Sequence, residues 1–493
     1  MQIAGGGSSA AYRAALLRRT KLSLGFKALY GSGQIVDGVT QTALGVFLFF
    51  YVTAVCGLSG TLTGLAVSIG LVVDAVCDPL MGLLSDNCWS RWGRRHPFLL
   101  VSAVPTGVTL GLLFSIPPQL SQQALFAYVT VVSILVRVCH SAFNLPFVAL
   151  GAELSDDFTE RTRIVAARFL FNFIATFTCL TLGYVVFLGG TNGLLTRAAY
   201  SPFGWTCGAL VLVGGLTCGL GTLGARQRLH PIERRGGPLA LGVLRDIRDV
   251  FGSESFRVLF FSALVLFIAV GVSGTLTIHA NKFFWRLPPA MIQAVGILPT
   301  VGFGAGALLN MAIAGRMERL TMVIIGLVVL SATQGVAPLL RVLGSLPLGG
   351  AALFAVLICN AILSGAATGF IGVSQHSMFA DASDEHEYLF GARREGLIYA
   401  ALNFSAKAAV ALGSLIAGIA LDVIRFPAGI AAHGGAPIAI APETLRNLGL
   451  IYGPGAATLT LLSAAIFMRY RLNRQALARI QLSLAERRSG RTG

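Results

Sequence analysis

Two carboxylates, Asp74 and Asp78, stand four residues apart inside an apolar run that reaches from Thr61 to Leu84. A charge at the centre of a bilayer costs roughly 2.5–3.5 kcal/mol on insertion scales, so a pair there needs a chemical reason. At helical spacing the two share one face, one turn and about 6 Å apart along the axis. Four carboxylate oxygens facing inward suit a sodium ion or a shared proton. Lys407 lies near the centre of another apolar run, ALNFSAKAAVALG, among small residues (Ser405, Ala406, Ala408) that permit close helix approach. If Lys407 neutralises the acidic pair when the cation is absent, cation arrival and lysine departure exclude each other. A fixed structural ion pair is the plainer alternative.

Two further runs carry polar stripes. Arg137, His140 and Asn144 recur at spacings of three and four, as do Gln34, Asp37 and Gln41. Arg137 must face a cavity or a carboxylate rather than lipid. His140 can donate, accept a proton or satisfy a backbone carbonyl. Pro146 follows Asn144 by two and frees a carbonyl one turn earlier. Together these faces could bind a polyol, with Tyr30, Trp205, Trp285 and Tyr399 as candidate stacking or packing rings. Asp37, Asp74 and Asp78 against Arg137 and Lys407 leave one negative charge, which a monovalent cation would balance.

The elements that must position these residues follow from composition. The 493 residues are 55% hydrophobic and 12% charged, with mean hydropathy +0.75, a balance that excludes a set of soluble domains. Net charge is +16, but the basic residues fall in short segments between apolar runs, where orientation signals belong, so no nucleic-acid partner is implied. The eight cysteines form no CxxC pair and suggest neither disulfides nor zinc. The first 20 residues lack a continuous apolar core and read as a cytoplasmic tail.

Apolar windows long enough to span a bilayer recur near 28–53, 61–84, 97–116, 123–151, 164–189 and 205–224, then near 257–281, 290–314, 319–340, 349–378, 396–424 and 447–469. The expected organisation is an all-α membrane protein of twelve spans: an N-tail (1–20), a six-helix half (21–224), a basic linker (225–256), a second six-helix half (257–470) and a C-tail (471–493). Lys and Arg concentrate in alternate loops, which places both termini in the cytoplasm. Ala152-Glu153-Leu154-Ser155-Asp156 and Ala380-Asp381-Ala382-Ser383-Asp384 close the fourth and tenth spans at an offset of 381 − 153 = 228 residues. Such a repeat fits parallel halves of the major facilitator architecture. The loop 82–98, with Asp86, Arg91, Arg94 and Arg95, reads as a cytoplasmic latch between helix ends, with plain positive-inside charge as the alternative.

These residues resemble the glycoside–pentoside–hexuronide:cation symporter family, the melibiose-permease group of the major facilitator superfamily. The resemblance is carried by DAVCDPLMGLLSDNCWSRWGRRHPF (Asp74 to Phe98), by ERTRIVAAR ending at Arg168, and by SMFADASDEHEYLFGARREG, and covers most of the chain. It implies that Asp74 and Asp78 hold the coupling Na⁺ or H⁺ and that Lys407 is the span-eleven lysine. It also implies that Arg168, Asp381, Asp384, Glu387 and Arg394 belong to gating segments. The family's span-four sugar-binding aspartate is replaced here by Asn144, and either Gln34 or Asp37 takes the span-one position. Arg137 has no counterpart in melibiose permease, and with a carboxylate lost it would suit an anionic sugar such as a hexuronate. The expected function is symport of a sugar or glycoside with Na⁺ or H⁺ across the inner membrane by a monomer in contact with lipid. No cofactor beyond the coupling ion is expected. The rivals are a carrier of a lipid-like or other amphipathic solute, which the 31 phenylalanines permit, and a transport-inactive solute sensor, for which the tails are short. No nucleophile–base pair or metal cluster suggests an enzyme.

Overall fold

The computed structural model describes residues 21–88, 90–190, 192–228, 248, 250–346, 350–391, 395–433 and 440–489. Helices make up all the regular structure of these residues. This is what lipid demands of a spanning chain, since each backbone N–H must be satisfied within its own segment. Contacts divide the chain into two compact units, Met1–Arg235 with Pro427–Ile438, and Gly236–Phe426 with Ala439–Gly493.

In the first unit, α1 (Leu24–Gly31) and α2 (Gln34–Thr42) are separated by a turn at Ser32–Gly33, and π-helical turns at Ala43–Leu48 and Tyr51–Val55 continue α2. The four long helices that follow are α3 (Gly60–Asp86), α4 (His96–Leu113), α5 (Gln122–Glu153) and α6 (Phe158–Thr181); α7 (Arg197–Gly221) ends the set. An aromatic cluster closes one end of the unit, where Tyr51 stacks on Tyr200 at 4.2 Å and Phe47 meets Phe203 at 5.0 Å. Gly107 of α4 and Gly208 of α7 let two backbones meet, because a Cβ on either would lie 2.6 Å or less from the other's carbonyl oxygen.

The second unit contains α8 (Glu254–His279), α9 (Pro289–Ile313), α10 (Arg319–Val342), α11 (Ala351–Phe390), α12 (Glu395–Val423), α13 (Pro442–Leu450), α14 (Ala456–Phe467) and α15 (Arg474–Ser489). Gly302 and Gly306 of α9 face Gly365 and Gly369 of α11, and a Cβ at any of the four would come within 2.1 Å of a carbonyl oxygen opposite. Small residues four apart are the usual means by which helices approach in lipid. A buried apolar cluster including Phe256, Leu259, Leu327, Met378, Phe379 and Phe467 fills the rest.

Among the described residues, eleven helices are long and apolar enough to cross a membrane, and large apolar side chains such as Leu308 and Met311 lie exposed on them, as contact with lipid tails would permit. Two boundaries depart from expectation. The first apolar window is a helix broken at Ser32–Gly33, because weak helix formers at Gly31, Ser32 and Gly33 interrupt it. The segment 381–396, expected as a second latch loop, is instead helical from 381 to Phe390, where α11 ends. That helical stretch contains no proline or glycine, and the helix stops only at Gly391, whose φ of 73° suits a residue without a Cβ. Arg394 lies outside the described residues, as does most of the expected linker 225–256.

Candidate functional site

Asp74 lies at the middle of α3, buried to 2% exposure. The helix is started by Ser59, whose hydroxyl accepts from the Leu62 N–H, and it runs 27 residues, about 40 Å and longer than the roughly 30 Å hydrocarbon layer. Pro79 interrupts the ladder just past Asp78, so the Ala75 carbonyl between the two acids loses its intrahelical donor. Ser141 of α5 bridges the pair. Its Oγ lies 2.8 Å from Asp74 Oδ1 and 2.8 Å from Asp78 Oδ1. A hydroxyl has one hydrogen to give, so two ionised acids cannot both receive it; one more proton, or a small cation, would complete the set. Arg137, one turn before Ser141 on α5, places Nη1 3.9 Å from Asp74 Oδ2.

A second polar chain runs beside this one. Arg168 Nε on α6 donates to Gln34 Oε1 at 3.1 Å, Gln34 Nε2 donates to Asp37 Oδ2 at 2.8 Å, and Asp37 Oδ1 lies 3.0 Å from His140 Nε2. The Ser32–Gly33 turn fixes the start of α2 and hence Gln34 and Asp37. Gly38 lets α2 close on α6, where a Cβ would meet Asn172 Oδ1 and Ala175 Cβ at 2.7 Å. The Arg168 guanidinium also stands 5.3 Å over the Phe147 ring, a cation–π contact. A cavity of about 160 Å³ opens here, lined by Gln34, Val165, Arg168, Phe169 and Asn172.

The expected stripe on α5 therefore serves two neighbours. Arg137 and Ser141 turn toward α3, whereas His140, about 100° round the helix from Ser141, turns toward α2. Asn144 follows on the same helix, and its buried Oδ1 has no hydrogen-bond partner among the described residues. Ser141, Asn172 and Gly70 were not singled out from the sequence. Ser141 sits four after Arg137, and Asn172 four after Arg168, so helical spacing from a charged residue was the available signal. Arg168, grouped by resemblance with gating, bonds to Gln34 instead of to the helix-end charges. Of the candidate rings, Tyr30 is a packing residue, fully buried with its hydroxyl donating to the Phe147 carbonyl at 3.1 Å.

The helix-end charges form one cluster in each unit. In the first, Glu153 at the end of α5 takes Arg94 Nη2 at 2.6 Å and Arg95 Nη2 at 3.0 Å, and Arg95 also reaches Asp86 at 2.6 Å. Arg91 lies 5.2 Å over the Trp92 ring. In the second, Asp381 pairs with Arg319 at the start of α10, and Asp384 accepts from Gln481 Nε2 of α15 at 3.1 Å. Glu387 lies one turn further on α11 and accepts at its carbonyl the Gly391 N–H at 2.9 Å. A cavity of about 450 Å³ in the second unit is lined by Arg319, Asp381, Tyr470, Arg474 and Gln481 among others. Its arginines are committed, Arg319 to Asp381 and Arg474 to the carbonyls of Ala314, Gly315 and Met317. Lys407 is half-buried on α12 in the second unit.

Residues 29–474 match the MFS/sugar transport protein family. The chain belongs to that family and is a multi-pass membrane transporter. It is 27% identical to an uncharacterized symporter of Synechocystis, over 87% of this chain and 90% of that one. It is also 27% identical to the putative glycoside/cation symporter YagG of Escherichia coli, over 83% of this chain and 85% of that one. Among solved structures, a D-xylose-proton symporter superposes with a TM-score of 0.58 at 14% identity, covering 94% of this chain and 98% of that one. At that identity the last likeness speaks for the fold alone.

Proposed function

We propose that this transporter carries a sugar or glycoside into the cell together with Na⁺ or H⁺, by alternating access. The observation that carries the reading is the Ser141-bridged pair Asp74 and Asp78 on a helix long enough to span the bilayer. Expensive charge at that depth is retained where an ion is bound. The symporter names of the similar proteins support coupling, and the glycoside named for one of them supports the solute class. Twelve spans are obtained if the broken first helix counts as one, with both termini in the cytoplasm of an inner-membrane protein, as the Lys and Arg bias implies.

In this account Asp74, Asp78 and Ser141 hold the cation. The solute meets the chain Arg168–Gln34–Asp37–His140, with Asn144 and Asn172 beside it, where carboxylate, amide and imidazole groups can pair with vicinal hydroxyls. Lys407 is proposed as the second counter-charge of the cycle on its charge and mid-helix position. The helix-end clusters around Glu153 and Asp381 are proposed as latches.

Vesicles containing the protein would be given a panel of neutral and acidic sugars under Na⁺ and pH gradients imposed separately. Uphill accumulation of a panel sugar under one gradient is the expected result. Equilibration of every panel sugar irrespective of either gradient would refute coupling.

A further inference from the structure

Arg137 is buried to 6% exposure, and both helices are shaped around it. Gly70 stands one turn before Asp74 on α3, and a Cβ there would lie 3.1 Å from Arg137 Nε and 3.3 Å from its Cδ. The guanidinium passes through the space that glycine leaves. Its Nη1 stops 3.9 Å from Asp74 Oδ2, beyond hydrogen-bond distance, and its Nε has no hydrogen-bond partner among the described residues. It therefore acts on the pair through charge, not through a bidentate clamp. Of the other groups, α5 contributes Ser141 to both acids, while the neighbouring His140 contacts Asp37. The Tyr51–Val55 turn, also packed on α3, brings Tyr51, whose ring stacks on Tyr200.

Resting on the symport reading above, we propose that Arg137 is a resident counter-ion of the acidic pair, a positioning residue that limits the site to one exchangeable monovalent cation and does not touch solute. Two carboxylates and one guanidinium sum to a single negative charge. One sodium ion or one proton neutralises it, and a second would leave the buried site positive, which low dielectric surroundings penalise. Because arginine keeps its proton at any accessible pH, this internal charge does not come and go with the transport cycle. It sets the stoichiometry and weakens the attraction for the mobile ion, so that the ion can leave again.

The test needs no solute. Binding of radioactive sodium to the purified full chain would be compared near neutral pH for the native protein, Arg137→Gln and Arg137→Lys. The glutamine variant is expected to bind sodium at least roughly tenfold more tightly, about 1.4 kcal/mol. The lysine variant, which keeps the charge, should stay near the native affinity. Gly70→Ala crowds the guanidinium without removing it and should shift affinity in the same direction by less, which gives a reading if the glutamine variant is poorly folded. Adding Asp78→Asn to Arg137→Gln should cancel the gain. Sodium binding by Arg137→Gln equal to or weaker than native, or a gain that survives Asp78→Asn, would overturn the proposal. So would a lysine variant that tightens as much as glutamine, or a raised half-saturating sugar concentration with sodium binding unchanged. Failure of gradient-driven uptake by the native protein would count against symport and leave this binding comparison readable.

Discussion

The two units use the same means of packing and differ in what they keep at membrane depth. Each closes helices through glycines that admit a neighbouring backbone, Gly107 on Gly208 in the first and Gly306 on Ala366 in the second. Each sets a carboxylate against arginine at the start of another helix, Glu153 at the end of α5 with Arg94 and Arg95, and Asp381, more than two turns before the end of α11, with Arg319. Within the spans, the first unit holds Asp37, Asp74, Asp78, Arg137, His140 and Arg168 in two connected polar chains. The second pairs several of its polar side chains with neutral partners and carries Lys407 near the middle of α12. Asn310 donates to the Phe370 carbonyl and to Ser374, Thr460 donates to Gln334, and Thr275 meets Ser414 at 3.0 Å. Neutral bonds of this kind lock helices together without a large desolvation cost. On the proposed reading, charges are tolerated where a moving ion can neutralise them in turn, which would put the ion chemistry in the first unit.

Three sets of substitutions probe the difference between the units, ordered by the largest loss expected in each. Gly306→Val should be the most disruptive, because its Cβ would lie 1.9 Å from the Ala366 carbonyl oxygen. Backbone there cannot yield as a side chain could, so loss of more than the usual 1–3 kcal/mol of overpacking is expected, read as loss of a monodisperse detergent-solubilised protein. Normal thermal unfolding of this variant would show that α9 and α11 do not meet as described.

Glu153→Gln and Asp381→Asn compare the two helix-end clusters. Glu153 and Arg95 are both about nine-tenths buried, so removing the charge leaves two arginines facing a neutral amide, at a cost of about 3 kcal/mol. Arg319 is 42% exposed, and solvent screening should hold the loss at Asp381→Asn to about 1 kcal/mol or less. Equal shifts in thermal midpoint would mean that the clusters are equivalent. Gly391→Ala should cost about 1–2 kcal/mol through its left-handed backbone alone, less than Glu153→Gln. An unchanged melting curve would indicate that α11 ends elsewhere.

Much of the fold was legible because a spanning helix needs a long apolar run, and such runs stand out in this sequence. The acidic pair and the Glu153/Asp381 repeat were legible for the converse reason, since charge is conspicuous against an apolar background. What was not legible depends on rotation about helix axes and on neighbours. Arg137, His140 and Asn144 read as one stripe about 60° wide, but its two edges touch different helices, and only packing shows that Arg137 turns to Asp74 and His140 to Asp37. Ser141 was passed over because serine is common in membrane helices, and its value lies in standing opposite two acids at once. Arg168 looked like one arginine among the loop charges, yet α6 begins at Phe158 and carries it two to three turns along the helix to Gln34. The end of α11 was set too early because acidic residues suggest loop, whereas helix propensity without a breaker continues to Gly391.

On the proposed reading, the carboxylates of Asp74 and Asp78 bind the ion that drives uptake. Asparagine at both positions keeps size and removes both charges, and the measurement is accumulation of a transported panel sugar in vesicles under an imposed cation gradient. The account predicts that uphill accumulation disappears while the purified protein remains folded and monodisperse. Accumulation at the native level by the doubly substituted protein would contradict it.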